Sequence, residues 1–312
     1  MKVKHSIFDF NSSQKTYVTI GTFDGVHIGH QKIIKKLIKN AKANNKESVV
    51  LTFFPHPRMV LQKDLKIQLI NTITERIDQL ERLGLDHLII HPFDKDFSRL
   101  TAFDFVRDVL VNKLDIDKLI IGYDHHFGKN REGNIEQLTE YSYLYDFKVE
   151  EIPAQDIDNV SISSTKIRKA LLSGHLKTAN NYLGYNFSIK GIVVKGKQLG
   201  NTIGYPTANL NVKESYKLIP KEGAYVIKSV IENKMKFGMM NIGMRPTVGG
   251  NDRTIEVHFF DFNKNIYNQT IKVELLYFLR NEQKFVSLNE LKKQLNQDEK
   301  DSKLFLKSYA NF

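Results

Sequence analysis

Two structural classes share this chain. Residues 1–185 predict an α/β domain built on a doubly wound, mostly parallel sheet, and residues 186–312 predict a small antiparallel β-barrel with closing helices. Three observations carry that reading. Apolar β-rich runs alternate with stretches of helical period through the first part of the chain. After Gly184 helical period disappears, and short β-rich runs broken by turns continue to Phe278. At 312 residues the chain has the length of two ordinary domains of about 100 to 200 residues each. The boundary is expected near Tyr185.

The first diagnostic element runs from Tyr17 to Ile20, a short β-branched strand. It feeds Gly21-Thr22-Phe23-Asp24-Gly25-Val26-His27-Ile28-Gly29-His30, after which Ile33, Ile34, Leu37, Ile38 and Ala41 recur with helical period. A strand entering a helix through small residues aims unpaired N–H groups and the positive end of the helix dipole at one spot, which suits a phosphate. His27 and His30 add two side-chain donors that need no charge to act. Two surface histidines beside a helix start would also satisfy the pattern.

Ser48 to Phe53 is the next strand, stopped by Phe54-Pro55-His56-Pro57. His56 either lines a ligand site past the strand's carboxyl end or sits in a solvated loop. Thr72-x-x-Glu75 is a capping box opening a helix through Ile73, Ile77, Leu80 and Leu83, with Gly84 just beyond. His87 to His91 makes a strand, Ala102 to about Asn112 a helix, and Lys118 to Gly122 another strand. That strand empties into a loop to Gly133 with three glycines, Asp124, Lys129 and Arg131, a second candidate site wall. Ser161 to Leu172 opens a hydroxyl-capped helix with Lys166 and Arg168 in its first turns. Cations there oppose the helix dipole by about 0.3 to 1 kcal/mol each, unless an anion binds or the side chains extend into water.

In the second half, Gly223 to Ile231 and Met235 to Asn241 are expected to form a hairpin about Glu232-Asn233-Lys234. Thr254 to Phe262 is expected to pair with Ile266 to Phe278 across Asn263-Lys264-Asn265. Ser287-x-x-Glu290 caps a closing helix through Leu291 and Leu295, and a shorter helix follows near Leu304 to Tyr309. Between Gly191 and Asn209, four glycines flank the turn Pro206-Thr207-Ala208-Asn209. They either admit a phosphate close to the backbone or make a barrel corner. Thr207 and Asn209 carry neutral oxygens that can complete a Mg²⁺ shell of waters and phosphates.

A formal net charge of +11 suits nucleic acid or phosphate-bearing substrates. Lys and Arg are scattered among acidic neighbours with no dense basic tract, which favours the second, so no nucleic-acid partner is expected. The absence of Cys excludes disulfides, thiolate metal sites and Cys nucleophiles. No apolar run approaches the ~18 residues of a membrane span, and no apolar segment follows Met1 to Ser6. No membrane partner is expected, and a cytoplasmic location is.

The stretch Gly21 to His30 resembles the His-x-Gly-His signature of the nucleotidylyltransferase superfamily, and its Phe-Asp-Gly-Val-His form is similar to that of bacterial FAD synthetases. Class I aminoacyl-tRNA synthetases share the four letters, but this chain has neither their Lys-Met-Ser-Lys-Ser loop nor a tRNA-binding region. Thr52 to Pro57, Gly122 to Gly133 and Ser163 to Arg168 are similar to further FAD synthetase motifs. Gly191 to Asn209, Asn241 to Thr247 and Ile255 to His258 are similar to riboflavin kinase motifs. In that order the motifs resemble the bacterial bifunctional riboflavin kinase/FAD synthetase family over almost the whole chain.

The resemblance implies that one module phosphorylates riboflavin with ATP to FMN, and that the other adenylylates FMN with a second ATP to FAD. It implies Mg²⁺ as cofactor, and riboflavin, FMN, FAD and ATP as partners. His27 and His30 would be catalytic, with Gly21, Thr22, Phe23, Gly29, Ser164, Thr165 and Arg168 on nucleotide phosphates. In the kinase module Gly191, Gly196, Lys197 and Gly200 would hold ATP, Thr207 and Asn209 the metal, and Glu256 would be the general base. Phe54, His56, Pro57, Asp124, Arg131 and Arg245 would contact flavin. His125 stands where the family usually has an aromatic, and Asn201 where it commonly has Arg. The alternation of Ile255, Val257 and Phe259 also allows Glu256 to be a solvent-facing strand carboxylate.

Overall fold

The computed structural model describes residues 1–62, 67–123, 126–153, 162–196, 200, 203–247 and 250–309, with the backbone alone at 245–247 and 250–252. The chain forms two compact units, Met1–Ser164 and Thr165–Phe312.

The first unit is organised on a six-stranded, wholly parallel sheet. Its strands are β1 (Lys2–Lys4), β2 (Thr16–Ile20), β3 (Glu47–Phe53), β4 (His87–His91), β5 (Ile116–Gly122) and β6 (Lys148–Ile152), in the order β1-β4-β3-β2-β5-β6. Strands covered on both faces bury every position, as β2 and β4 do. Alternate residues feed opposite cores. Val18, Val49, Leu51 and Leu119 join one cluster, and Tyr17, Val50, Leu88 and Ile120 join the other. Helices α1 (Ile28–Ala43) and α3 (Ile73–Glu81) supply Ile33, Leu37 and Leu80 to the second face. The short α2 (Pro57–Leu61) lies between them in sequence. The expected capping box is present: Glu75 N donates to Thr72 Oγ1 at 3.2 Å and Thr72 N to Glu75 Oε2 at 2.9 Å.

The helix expected over Ala102 to Asn112 is regular only at α4 (Ala102–Asp104). Phe105–Val111 continues it as π-helix, with Leu114 N donating to Val109 O at 3.0 Å beyond it. The wider turn keeps Phe105, Val106, Val109 and Leu110 all on the buried side. With α5 (Ile135–Tyr145) this segment covers the first face. From β2 the sheet extends through β3, β4 and β1 on one side and through β5 and β6 on the other. The loops leaving β2 and β5 therefore open at a topological switch point, where doubly wound sheets bind ligands.

In the second unit β7 (Ser188–Val194), β8 (Ala208–Asn211), β9 (Gly223–Ile231), β10 (Lys234–Thr247), β11 (Gly250–Phe259) and β12 (Thr270–Asn281) close an antiparallel barrel in the order β10-β11-β8-β7-β12-β9. Helices α6 (Ser164–Leu172) and α7 (Leu176–Leu183), which the sequence reading placed before the boundary, bond to this unit. Lys221 N donates to Leu171 O at 3.1 Å. Asn180 accepts from Phe187 N at 2.8 Å and donates to Leu275 O at 3.0 Å.

Three local expectations are corrected. The β9–β10 turn has two residues rather than three: Ile231 pairs with Lys234, and Glu232 and Asn233 adopt φ 49° and 60°, the left-handed pair that matches strand twist. The strands flanking 263–265 are not partners. β11 lies between β10 and β8, and β12 between β7 and β9, because Asn268 N donates to Val193 O and Val193 N to Gln269 O, both at 2.9 Å, delivering the chain to β7. One continuous helix, α8 (Leu288–Tyr309), replaces the two expected at the end. The polar stretch between the two continues the helix, with Asp298 and Ser302 as its buried residues.

Candidate active sites

After β2, Gly21 N still donates to Leu51 O at 3.1 Å before the chain turns. Phe23, Gly25 and Val26 then adopt φ 46°, 86° and 35°. Only the glycine accepts this without strain, so the remaining contacts must hold the loop. Asp24, 1% exposed, accepts from Ile70 N at 3.1 Å and Asn71 N at 3.2 Å. Ser164 Oγ donates to the Asp24 carbonyl at 2.9 Å, Thr52 Oγ1 to the Thr22 carbonyl at 3.2 Å, and Gln31 Nε2 to the Val26 carbonyl at 2.9 Å.

The loop delivers His27 as the N-cap of α1, where its Nδ1 accepts from His30 N at 3.4 Å. Nδ1 is thus the acceptor nitrogen, which leaves Nε2–H as the donor of a neutral ring. The two imidazoles stack with centroids 3.6 Å apart, and His30 meets the Phe23 ring edge-on at 5.2 Å. Burial, reinforced by His27 and Arg76, lowers the His30 pKa well below the ordinary histidine value. His30 is therefore neutral at neutral pH, and its buried Nδ1 has no hydrogen-bond partner among the described residues. A neutral ring nitrogen beside the first turn of α1, with Gly29 buried there, is suited to an incoming phosphate. The surface-histidine alternative fails, because His27 is buried. Sequence reasoning did not single out Arg76. It is fully buried, and its Nη1 donates to Thr52 Oγ1 at 3.3 Å, adding positive potential beneath the loop.

His56 is also buried rather than solvated, and caps α2 by accepting from Arg58 N at 3.2 Å, with Pro57 in the first turn. Phe54 N donates to His91 O at 3.1 Å. In the loop after β5, Phe127 and Gly133 exchange hydrogen bonds of 3.2 and 2.9 Å. A Cβ on Gly133 would come 2.5 Å from the Phe127 ring, and Gly128 (φ 73°) lies against Ala102. These two glycines thus serve packing, and Arg131 stands exposed beyond them. Asp124 and His125 lie outside the described residues, as does Ser161. Thr165 is exposed and Arg168 half-buried on α6, which passes into the second unit.

The barrel carries its own site. Register places Asn209 of β8, Glu256 of β11 and Asn241 of β10 side by side. Ile255, Val257 and Phe259 are buried, so the alternate residues Glu256 and His258 face outward, under α8. There they border a cavity of about 240 Å³ whose walls include Thr207, Asn241, Glu282 and Leu295. Glu256 is therefore a cavity residue rather than a solvated strand carboxylate, with Thr207 Oγ1 3.5 Å from its Oε2. Tyr205 ties α8 to the barrel through Asn296 at 2.6 Å and Glu299 at 2.8 Å. Burial and the Glu299 carboxylate push its pKa up to about 12. Arg280 grips Asp298 through Nε at 2.8 Å and Nη2 at 2.7 Å.

Gly191 lies inside β7, where a Cβ would stand 2.9 Å from the Asn211 carbonyl, a barrel-packing role. Gly196 admits the Asn209 amide against its backbone, and the Gly200 carbonyl accepts Tyr205 N at 2.8 Å, shaping the turn before Thr207. Lys197 and Asn201 lie outside the described residues, and Arg245 is placed by its backbone opposite Asp252. Tyr205, Asn241, Arg280 and Glu282 were not singled out as site residues. The first two stood within quoted motifs, while the others gather at the cavity only through β12.

A model of the FAD synthetase family matches residues 9–166, and a model of the riboflavin kinase family matches residues 183–306. Curated relatives named bifunctional riboflavin kinase/FMN adenylyltransferase include that of Buchnera aphidicola subsp. Schizaphis graminum, 40% identical over 94% of both chains. That of Haemophilus influenzae is 39% identical over 93% of this chain and 94% of its own, and that of Escherichia coli K12 36% over 92% of each. A crystal structure described as a macrolide-efflux protein from Streptococcus pneumoniae superposes with a TM-score of 0.88 at 32% identity, covering 97% of this chain and 98% of that one. Among the described residues no helix is long and apolar enough to cross a membrane.

Proposed function

The chain belongs to the bifunctional riboflavin kinase/FMN adenylyltransferase family, and from that premise we propose which residues carry each reaction. The protein phosphorylates riboflavin to FMN and joins FMN to AMP from ATP to give FAD. Adenylyl transfer is assigned to the loop after β2. The FMN phosphate is already an anion and attacks the α-phosphorus without a protein base, so the site need only position ATP and stabilise charge on pyrophosphate. His27 Nε2–H, His30 and the first turn of α1 do this, with Gly21, Thr22 and Phe23 shaping the loop. Ser164, Thr165 and Arg168 are assigned to the phosphates, and Phe54, His56, Pro57, Asp124 and Arg131 to flavin.

Riboflavin offers an alcohol, so the barrel reaction needs a proton acceptor, and Glu256 takes that role in the cavity under α8. Thr207 and Asn209 present neutral oxygens of the kind that can complete a Mg²⁺ shell; among the described residues no group of three or more His, Cys, Asp or Glu is placed to cage a metal. Thr207 and Asn209 would hold Mg²⁺ together with waters and substrate phosphates, where it would supply charge neutralisation. Arg245, Gly196, Lys197 and Gly200 are assigned to the kinase substrates. The functional boundary is placed near Tyr185, supported by a riboflavin kinase match that starts at 183. Both reactions consume ATP, which supports a cytoplasmic location.

The observation that carries the assignment is the contrast between the two sites: buried neutral imidazoles in one, a carboxylate bordering a cavity in the other. Chromatography of flavins formed from riboflavin, ATP and Mg²⁺ tests it. A His30 variant should stop at FMN, and a Glu256 variant should leave riboflavin unconverted. Loss of both products from either variant would contradict the division.

A further inference from the structure

The barrel cavity holds a polar group that neither assigned step uses. Asn241 stands opposite Glu256 across the β10–β11 ladder. Its Nδ2 donates to Glu282 Oε1 at 3.4 Å. That contact orients the amide, since a carboxylate can only accept and must face the nitrogen. Oδ1 is left buried, with no hydrogen-bond partner among the described residues. Buried acceptors are rarely left unmet, so this one awaits a donor from a ligand.

The surroundings select the ligand. A Cβ on Gly243 would lie 2.7 Å from Glu282 Oε1 and 3.2 Å from Asn241 Nδ2, so the pair packs onto backbone where only hydrogen fits. Three carboxylates border the same cavity, Glu256, Glu282 and Asp298, the last held by Arg280, which also lines it. Burial, together with Glu222 and Glu256, raises the Glu282 pKa against the opposing pull of Asn241 and Arg280. Phosphate oxygens carry no proton to donate to Asn241 Oδ1 at neutral pH. A hydroxyl of a neutral polyol supplies that donor. Ile203, Met239, Phe285 and Leu295 give the cavity apolar wall that suits a flat ring.

We propose that Asn241 Oδ1 accepts a hydrogen bond from a ribityl hydroxyl neighbouring the one whose proton Glu256 takes, which makes Asn241 a specificity-determining residue for the polyol tail. This rests on the cavity being the riboflavin kinase site. The recognition is built from the strand register itself: β11 supplies the base, and β10, its partner, supplies the acceptor one strand away.

The test uses the full chain, with riboflavin and its 2′-, 3′- and 4′-deoxy analogues as phosphoryl acceptors. Asn241→Ala should raise the riboflavin KM about tenfold, the scale of one lost buried hydrogen bond, with kcat within about threefold of the parent. For one deoxy analogue, parent and variant should have the same KM, because the bond is already missing. An unchanged riboflavin KM, or an equal loss on riboflavin and every analogue, would overturn the inference. If the alanine variant yields no FMN, Asn241→Asp carries the test, since it keeps an acceptor oxygen. Retained preference for riboflavin over that analogue supports the role, and lost preference overturns it. A parent protein that makes no FMN would instead remove the kinase reading on which the inference rests.

Discussion

Asp24→Ala is the most demanding perturbation of the adenylylation site, because the carboxylate touches no substrate in the proposed scheme yet holds the loop that carries His27. It accepts from two backbone N–H groups, Ile70 and Asn71, and is 1% exposed. Hydrogen bonds to a charged group contribute about 1.5 to 3 kcal/mol each, and the two donors would be left buried and unmet, for a total of about 3 to 6 kcal/mol. At about 2.1 cal/mol/K per residue, unfolding residues 1–164 carries about 0.34 kcal/mol/K, so the melting temperature of the first unit should fall by about 9 to 18 °C. Differential scanning calorimetry of the full chain reads this, with the barrel transition as internal reference. At a temperature where the variant is still folded, FAD formation should drop while FMN accumulates. A variant that melts within 2 °C of the parent, or makes FAD at the parental rate, would refute the claim that Asp24 holds the loop; the threshold is a small fraction of the predicted shift.

His30→Ala should lower FAD formation by about 10² to 10³, the usual cost of one charge-stabilising donor, and leave FMN formation within a few-fold in the same assay. The lowered His30 pKa also predicts a pH dependence. The unfolded chain binds a proton near pH 6.5 and the folded one only at lower pH, so this contribution to stability is complete above about 6.5 and is lost as pH falls below it. Urea titrations between pH 7.5 and 5 should show His30→Asn flattening that decline; an identical slope would refute it. Gly133→Ala puts a methyl 2.5 Å from the Phe127 ring and should cost about 1 to 3 kcal/mol by overpacking, measured as a lower urea midpoint of the first unit. Tyr205→Phe removes the hydroxyl shared by Asn296 and Glu299 and should cost about 1 to 3 kcal/mol, read in the barrel transition together with reduced riboflavin phosphorylation.

The legible parts of the sequence were those set by local rules. Thr72 and Glu75 cap a helix through contacts three residues apart, and the β9–β10 hairpin forms where expected, although its turn holds two residues rather than three. Long-range pairing was not legible. β11 and β12 are neighbours in sequence, yet the segment between them bonds to Val193, and no local pattern in 263–265 announces that. The same limit hid the site's supports. Asp24 meets Ile70 and Asn71, and Arg76 meets Thr52, only after the sheet has formed. In α8 the rule that polar runs face water failed, because Asp298 is buried to hold Arg280. The histidine pair and Glu256 were found from their motifs, but whether they faced a site or solvent depended on burial and on the side of the strand from which Glu256 projects.

The division of labour is tested most directly by Glu256→Gln, assayed in two separate reactions with the full chain. Glutamine keeps the side chain's shape in the cavity beside Thr207 and cannot accept the riboflavin proton, so FMN formation should fall by the ~10² to 10⁴ expected for a lost general base. Given FMN directly, the same protein should form FAD at the parental rate, because that nucleophile needs no deprotonation and the imidazoles belong to the other unit. Near-parental phosphorylation of riboflavin by this variant would contradict the account.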